Sequence, residues 1–139
     1  MSSASPDARE EVVVDASVVV DLLADTNLGE AAHAALVDKR LIAPAHIDAE
    51  VLSALGRMQR SGLLTEDQAT NAVRGCIAVP MDRRSLPELL AGAWSLRSKF
   101  SLRDALYVEL AEDTGCRLIT SDAKLGRQYE QADVLRVSS

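Results

Sequence analysis

The chain is 139 residues long, 47% hydrophobic and 26% charged, enough for one domain with a real core and too few for two. A net charge of −6 weighs against a protein that grips nucleic acid chiefly by neutralising phosphates, and 3% aromatic residues weigh against one that stacks rings on bases. Cys76 and Cys116 lie far apart, outside any Cys-x-x-Cys or Cys-His motif, and read as buried inert thiols; His33 and His46 lack zinc-ligand spacing.

Residues 1–10 read as a flexible polar tail without the apolar stretch of a signal peptide. No segment reaches membrane-spanning length, so a cytoplasmic protein without a membrane partner is expected. A single domain over 11–139 follows the tail. Val12-Val13-Val14 is a short β-branched run suited to a strand buried on both faces. Asp15-Ala16-Ser17 reads as a strand-to-helix turn, with Val18, Leu22 and Leu23 in the helix after it. A second helix is expected over 28–39. Leu41-Ile42-Ala43 reads as a strand ended by Pro44. A long helix over 46–60 carries Ile47, Val51, Ala54, Leu55 and Met58 at helical spacing and is closed by Gly62.

Thr65-Glu66-Asp67-Gln68 has the spacing of a capping box. Ile77-Ala78-Val79 is expected as a strand before Pro80, and a helix over 86–99 should turn Leu86, Leu89, Leu90, Ala93 and Leu96 to the core. Ser101 caps a helix through about 113, stopped by Gly115. Residues 117–120 read as a strand, Asp122 caps a short helix to about 131, and 134–137 read as the last strand. The alternation predicts an α/β, doubly wound domain with a mostly parallel central sheet flanked by helices.

Four acids recur at one kind of place in this plan. Asp15 and Asp122 follow strands, and Glu50 and Asp104 sit near the starts of helices; in a parallel α/β domain these positions share one edge of the sheet. Each has a structural alternative. Asp15 and Asp122 can be N-caps, Glu50 an exposed helix residue, and Asp104 a complement to the helix dipole. Jointly, crowded carboxylates repel, and a divalent cation is their simplest partner. An all-oxygen set favours Mg²⁺ or Mn²⁺ over zinc or copper. The basic residues Arg83, Arg84, Arg97, Lys99 and Arg103 cluster in the sequence, either as contacts to an RNA backbone or as a solvated face.

Four segments in order resemble the PIN-domain ribonucleases, specifically the VapC-type toxins of type II toxin–antitoxin pairs. They are Val-Val-Val-Asp15-Ala-Ser17, Pro44-Ala-His-Ile-Asp-Ala-Glu50-Val-Leu-Ser-Ala-Leu, Ser101-Leu-Arg-Asp104-Ala-Leu-Tyr-Val-Glu-Leu-Ala and Leu118-Ile-Thr120-Ser-Asp122-Ala-Lys-Leu125. The resemblance spans about residues 11 to 137. It implies a PIN-like fold and a Mg²⁺- or Mn²⁺-dependent endoribonuclease that hydrolyses RNA phosphodiester bonds and inhibits translation and growth. It implies that Asp15, Glu50, Asp104 and Asp122 are the catalytic metal-site acids, with Ser17 and Thr120 as supporting hydroxyls. A cognate antitoxin that inserts an arginine, and a homodimer, are its implied partners.

Two other classes are weighed beside it. Asp15-Ala-Ser17 lacks the second Asp that a haloacid-dehalogenase-like phosphatase places two residues on. A non-catalytic PIN-like binding or scaffold module, with the acids serving only as caps, is the non-enzyme alternative.

Overall fold

Val12, Val13 and Val14 are wholly buried and form the middle of the sheet. The computed structural model describes residues 8–137; residues 1–7, most of the expected tail, and residues 138–139 lie outside them. The strands are β1 (Glu11–Val14), β2 (Arg40–Pro44), β3 (Met81–Arg84), β4 (Arg117–Thr120) and β5 (Ala132–Val134), in the order β3-β2-β1-β4-β5. Every pairing is parallel, with Val13 opposite both Ile42 and Leu118 and Val14 opposite Ile119. The helices are α1 (Ala16–Leu23), α2 (Gly29–Leu36), α3 (Ile47–Arg60), α4 (Glu66–Ala78), α5 (Pro87–Ser95), α6 (Leu102–Thr114) and α7 (Ala123–Gln128). Helix α6 packs against β1, β2 and β4 and pairs with α5, while α1 packs with α2, α3 and α4.

Local signals explain most helix ends. The capping box of α4 is complete: the Gln68 N–H donates to Thr65 Oγ1 and the Thr65 N–H donates to Gln68 Oε1. Ser101 accepts from the Asp104 N–H at the start of α6, and Gly115 ends it at φ +71°, a left-handed conformation that a side chain would strain.

Three expectations are corrected. Residues 77–79 are not a strand: α4 runs through Ala78, Cys76 points inward and Ile77 is 77% exposed. The strand comes after Pro80, as Met81–Arg84, which among the described residues pairs only with β2. An edge strand tolerates the charges of Asp82-Arg83-Arg84, which hid it from a reading based on apolar runs. The last strand lies at Ala132–Val134 rather than 134–137, although the Leu135 N–H still donates to the Thr120 carbonyl. Leu90 faces outward on an α5 that ends at Ser95. Both cysteines are free, as expected. Among the described residues no helix is long and apolar enough to cross a membrane.

The chain winds outward from β1 to β2 and β3, then returns to place β4 on the other side of β1. Beyond the C-terminal ends of β1 and β4 the connections diverge and leave a crevice, the usual ligand position in such sheets.

Candidate active site

Asp15 is the first residue beyond β1, and its backbone N–H still bonds the Ile119 carbonyl of β4 at 3.2 Å. That register sets it beside Thr120. Both carboxylate oxygens are engaged: Ser17 Oγ donates to Oδ1 and Thr120 Oγ1 donates to Oδ2, each at 2.5 Å, and the Val18 N–H reaches Oδ1 at 3.4 Å as the cap of α1. The hydroxyls are held in turn. Ser17 Oγ accepts from the Ser121 N–H at 3.1 Å, and Thr120 Oγ1 from the Asp122 N–H at 2.9 Å. Each hydroxyl therefore passes a backbone hydrogen bond of the β4–α7 turn on to Asp15. Asp15 is 6% exposed, and burial pushes its carboxyl up to about 6, against the hydrogen bonds of Ser17, Thr120 and Val18 and with a further push from the Asp104 charge.

Glu50, Asp104 and Asp122 line one cleft of about 450 Å³ together with Ser17, while Asp15 lies beneath Ser17. Burial holds Asp104 above its ordinary range; the Ser101 hydrogen bond opposes this, and the charges of Asp122 and Glu50 reinforce it. Asp122 caps α7 through Oδ1, which accepts from the N–H groups of Lys124 and Leu125. The cap readings of Asp15 and Asp122 are thus true of the same residues that share the cleft.

Glu50 is fixed differently. Tyr107 Oη donates to its Oε1 at 2.6 Å, His46 Nε2 lies 3.3 Å from the same oxygen, and Arg103 Nη1 is 3.7 Å from Oε2. The Tyr107 ring is buried, and burial, then the hydrogen bond to Glu50 and its charge, push the phenol far above the ordinary range, so it stays a donor.

The cleft gathers carboxylates and hydroxyls, a donor set that suits a hard divalent cation. It does not close them into a shell: among the described residues no three His, Cys, Asp or Glu side chains are arranged to hold an ion as they stand. The charges of Asp122 and Glu50 both oppose ionisation of Asp104. A cation that neutralised them would remove that opposition.

Of the basic residues, Arg103 lines the cleft. Arg83 is turned away, with Nε 2.7 Å from Asp48 and Nη2 donating to the Cys76 carbonyl at 3.0 Å, and Arg84 pairs with Asp82 at 2.6 Å. Arg97 lies over the Trp94 ring and Lys99 over the Phe100 ring. Four residues go unsingled by sequence reasoning. Asp21 and Arg57 line the cleft; Tyr107 and His46 hold Glu50. Helical spacing was the available signal: Ser17 and Asp21, His46 and Glu50 are four apart, Asp104 and Tyr107 three, and Glu50 and Arg57 seven.

The PIN-domain family model matches residues 12–131. Ribonuclease VapC3 of Mycobacterium tuberculosis is 52% identical over 127 residues, covering 91% of this chain and 93% of that protein. Ribonuclease VapC12 of the same organism is 33% identical over 118 residues, covering 85% and 92%. Among solved structures, a chain of a toxin–antitoxin complex from Klebsiella pneumoniae superposes with a TM-score of 0.67 at 17% identity, covering 88% of this chain and 96% of that one, which shows a shared fold.

Proposed function

The chain belongs to the PIN-domain family and, within it, to the VapC-type toxins, and from that premise we propose that it cuts RNA with Mg²⁺ or Mn²⁺ held by Asp15, Glu50, Asp104 and Asp122. It is an endoribonuclease of the toxin–antitoxin class. The observation that carries the site assignment is Asp15: a carboxylate 6% exposed, gripped on both oxygens by hydroxyls, beneath a cleft lined by Glu50, Asp104, Asp122 and Asp21. A cap alone needs one oxygen and no such burial. That, with 52% identity to a ribonuclease, disfavours the non-catalytic scaffold.

A divalent ion, when bound, relieves charge on the phosphoryl group and lowers the pKa of a water. The rest falls to the chain. Asp15 and Asp104 would hold that ion at the floor of the cleft, where it would neutralise the reacting phosphate. Ser17 and Thr120 keep the Asp15 carboxylate in one orientation. Glu50 and Asp122 orient the attacking water from the walls, and Arg103 meets a neighbouring phosphate at the rim. The assay is cleavage of RNA with added Mg²⁺ or Mn²⁺. Wild type cuts, Asp15→Asn and Asp104→Asn do not, and undiminished cleavage by both variants would sink the assignment.

The same cleft gives a means of restraint. A guanidinium placed among the carboxylates satisfies them in the cation's place, so the partner is an antitoxin that contributes an arginine. One structural relative is described as a toxin–antitoxin complex, which supports that reading. Co-purification with a small basic-tailed protein tests it. A cytoplasmic homodimer completes the proposal, and sedimentation of the purified protein tests the dimer.

A further inference from the structure

We propose that Tyr107 and His46 are positioning residues that lock Glu50 so that one of its oxygens, Oε2, is presented to the cleft. The inference rests on the reading of Glu50 as a member of the ion-binding set.

Two groups converge on Oε1. Tyr107 donates to it from α6 at 2.6 Å, and His46 Nε2, just before α3, stands 3.3 Å away while its hydrogen bond goes to the Arg103 carbonyl. The histidine's tautomer follows from its neighbours. Nε2 lies 3.3 Å from the Arg103 carbonyl as well as from Glu50 Oε1, and both are acceptors, so Nε2 carries the hydrogen. Nδ1 is buried and has no partner among the described residues, which suits a bare nitrogen and not a second N–H. The two rings pack at 4.8 Å between centroids, so each fixes the other's orientation. Tyr107 itself is 2% exposed. An unheld glutamate has three rotatable bonds; this one has its carboxylate held by the Tyr107 phenol from α6 with the His46 ring beside it.

The consequence is a division of labour within one carboxylate. Oε1 accepts from Tyr107 and faces His46, whereas Oε2, 3.7 Å from Arg103, accepts no hydrogen bond among the described residues and remains for the cleft. Glu50 therefore contributes a single oxygen to whatever the cleft holds. Outer partners of this kind act on ion affinity and turnover without touching substrate.

The test is Mn²⁺ binding to the metal-free full chain, read by titration calorimetry or by electron paramagnetic resonance of free Mn²⁺, beside steady-state RNA cleavage. Tyr107→Phe removes only the hydroxyl and should weaken Mn²⁺ and lower kcat by roughly 10- to 100-fold, with KM for RNA unchanged. His46→Leu should do the same, and His46→Gln, whose amide N–H can stand where Nε2–H stood, should recover most of the loss. If Tyr107→Phe proves unfolded by circular dichroism, the two His46 variants decide. Tyr107→Phe or His46→Leu with wild-type Mn²⁺ affinity and kcat, while Asp15→Asn loses both, overturns the lock alone. Asp15→Asn that itself keeps both overturns the parent reading.

Discussion

The two ends of the cleft solve one problem in different ways. Asp15 is held by hydroxyls that are themselves anchored to the backbone of the β4–α7 turn; Glu50 is held by a phenol from α6, with an imidazole from just before α3 beside it. Asp15 is buried and its charge is opposed; Glu50 keeps part of its surface and sits beside Arg103. The first end is rigid because the sheet is rigid. The second is only as exact as the packing of α3 against α6. An acid that must remain charged without solvent needs the shortest supports, whereas one at the rim can be aimed by longer arms.

Breaking the buried end should cost most. Asp15→Asn is expected to lower RNA cleavage by roughly 10²- to 10⁴-fold, because ion assistance supplies several kcal/mol and each 1.4 kcal/mol is tenfold. Rates with saturating Mn²⁺ measure it.

The buried end should also show in the pH dependence of stability. The folded Asp15 value of about 6 lies above its unfolded 3.8, so the fold binds more protons between those values. Stability of the metal-free protein should therefore rise as pH falls from 7 through 6 toward 4. Asp15 contributes up to about 3 kcal/mol of that rise, at 1.36 kcal/mol for each unit. Denaturant melts of wild type and Asp15→Asn isolate the term, which the variant should lack. Added Mg²⁺ should oppose it, since binding favours the ionised carboxylate.

A smaller effect comes from Thr120→Val. It takes one donor from the buried Asp15 and strands the part-buried Asp122 N–H, and should destabilise by about 1–3 kcal/mol. A loss no larger than that of Tyr107→Phe, measured in the same melts, would erase the contrast between the two ends. The smallest effect belongs to the rim. Arg103→Ala should weaken RNA binding a few-fold and reduce the salt slope by about one, while Arg83→Ala, whose side chain is tied to Asp48, should leave both unchanged. Binding isotherms at several salt concentrations separate them.

The contrast also explains what could be read in the amino acids. The Asp15 end was legible in part because its nearest pieces are short-range, a valine run and an aspartate directly after it, whereas the hydroxyls Ser17 and Thr120 came only with the family resemblance, Thr120 lying 105 residues away. The Glu50 end was only half visible. Helical spacing put Tyr107 on the face of Asp104, and His46 on that of Glu50, but no local rule says that α6 brings its tyrosine to α3. Residue 83 shows the opposite failure. Adjacent arginines suggested a shared basic surface, yet pairing of β3 with β2 sets Arg83 beside Asp48, on α3. The strand over 81–84 was missed for a related reason, since its charges are tolerable only at an edge that sequence does not announce.

The hydroxyl supports of Asp15 carry a consequence for the order of synthesis. Asp15 is made early, but Thr120 and the turn that anchors both hydroxyls come from the last fifth of the chain, and β1 meets β4 only once that stretch exists. A growing polypeptide therefore carries three of the four acids proposed for the site without the pairing that brings them together. A ribosome must first make β4 before the proposed centre can assemble.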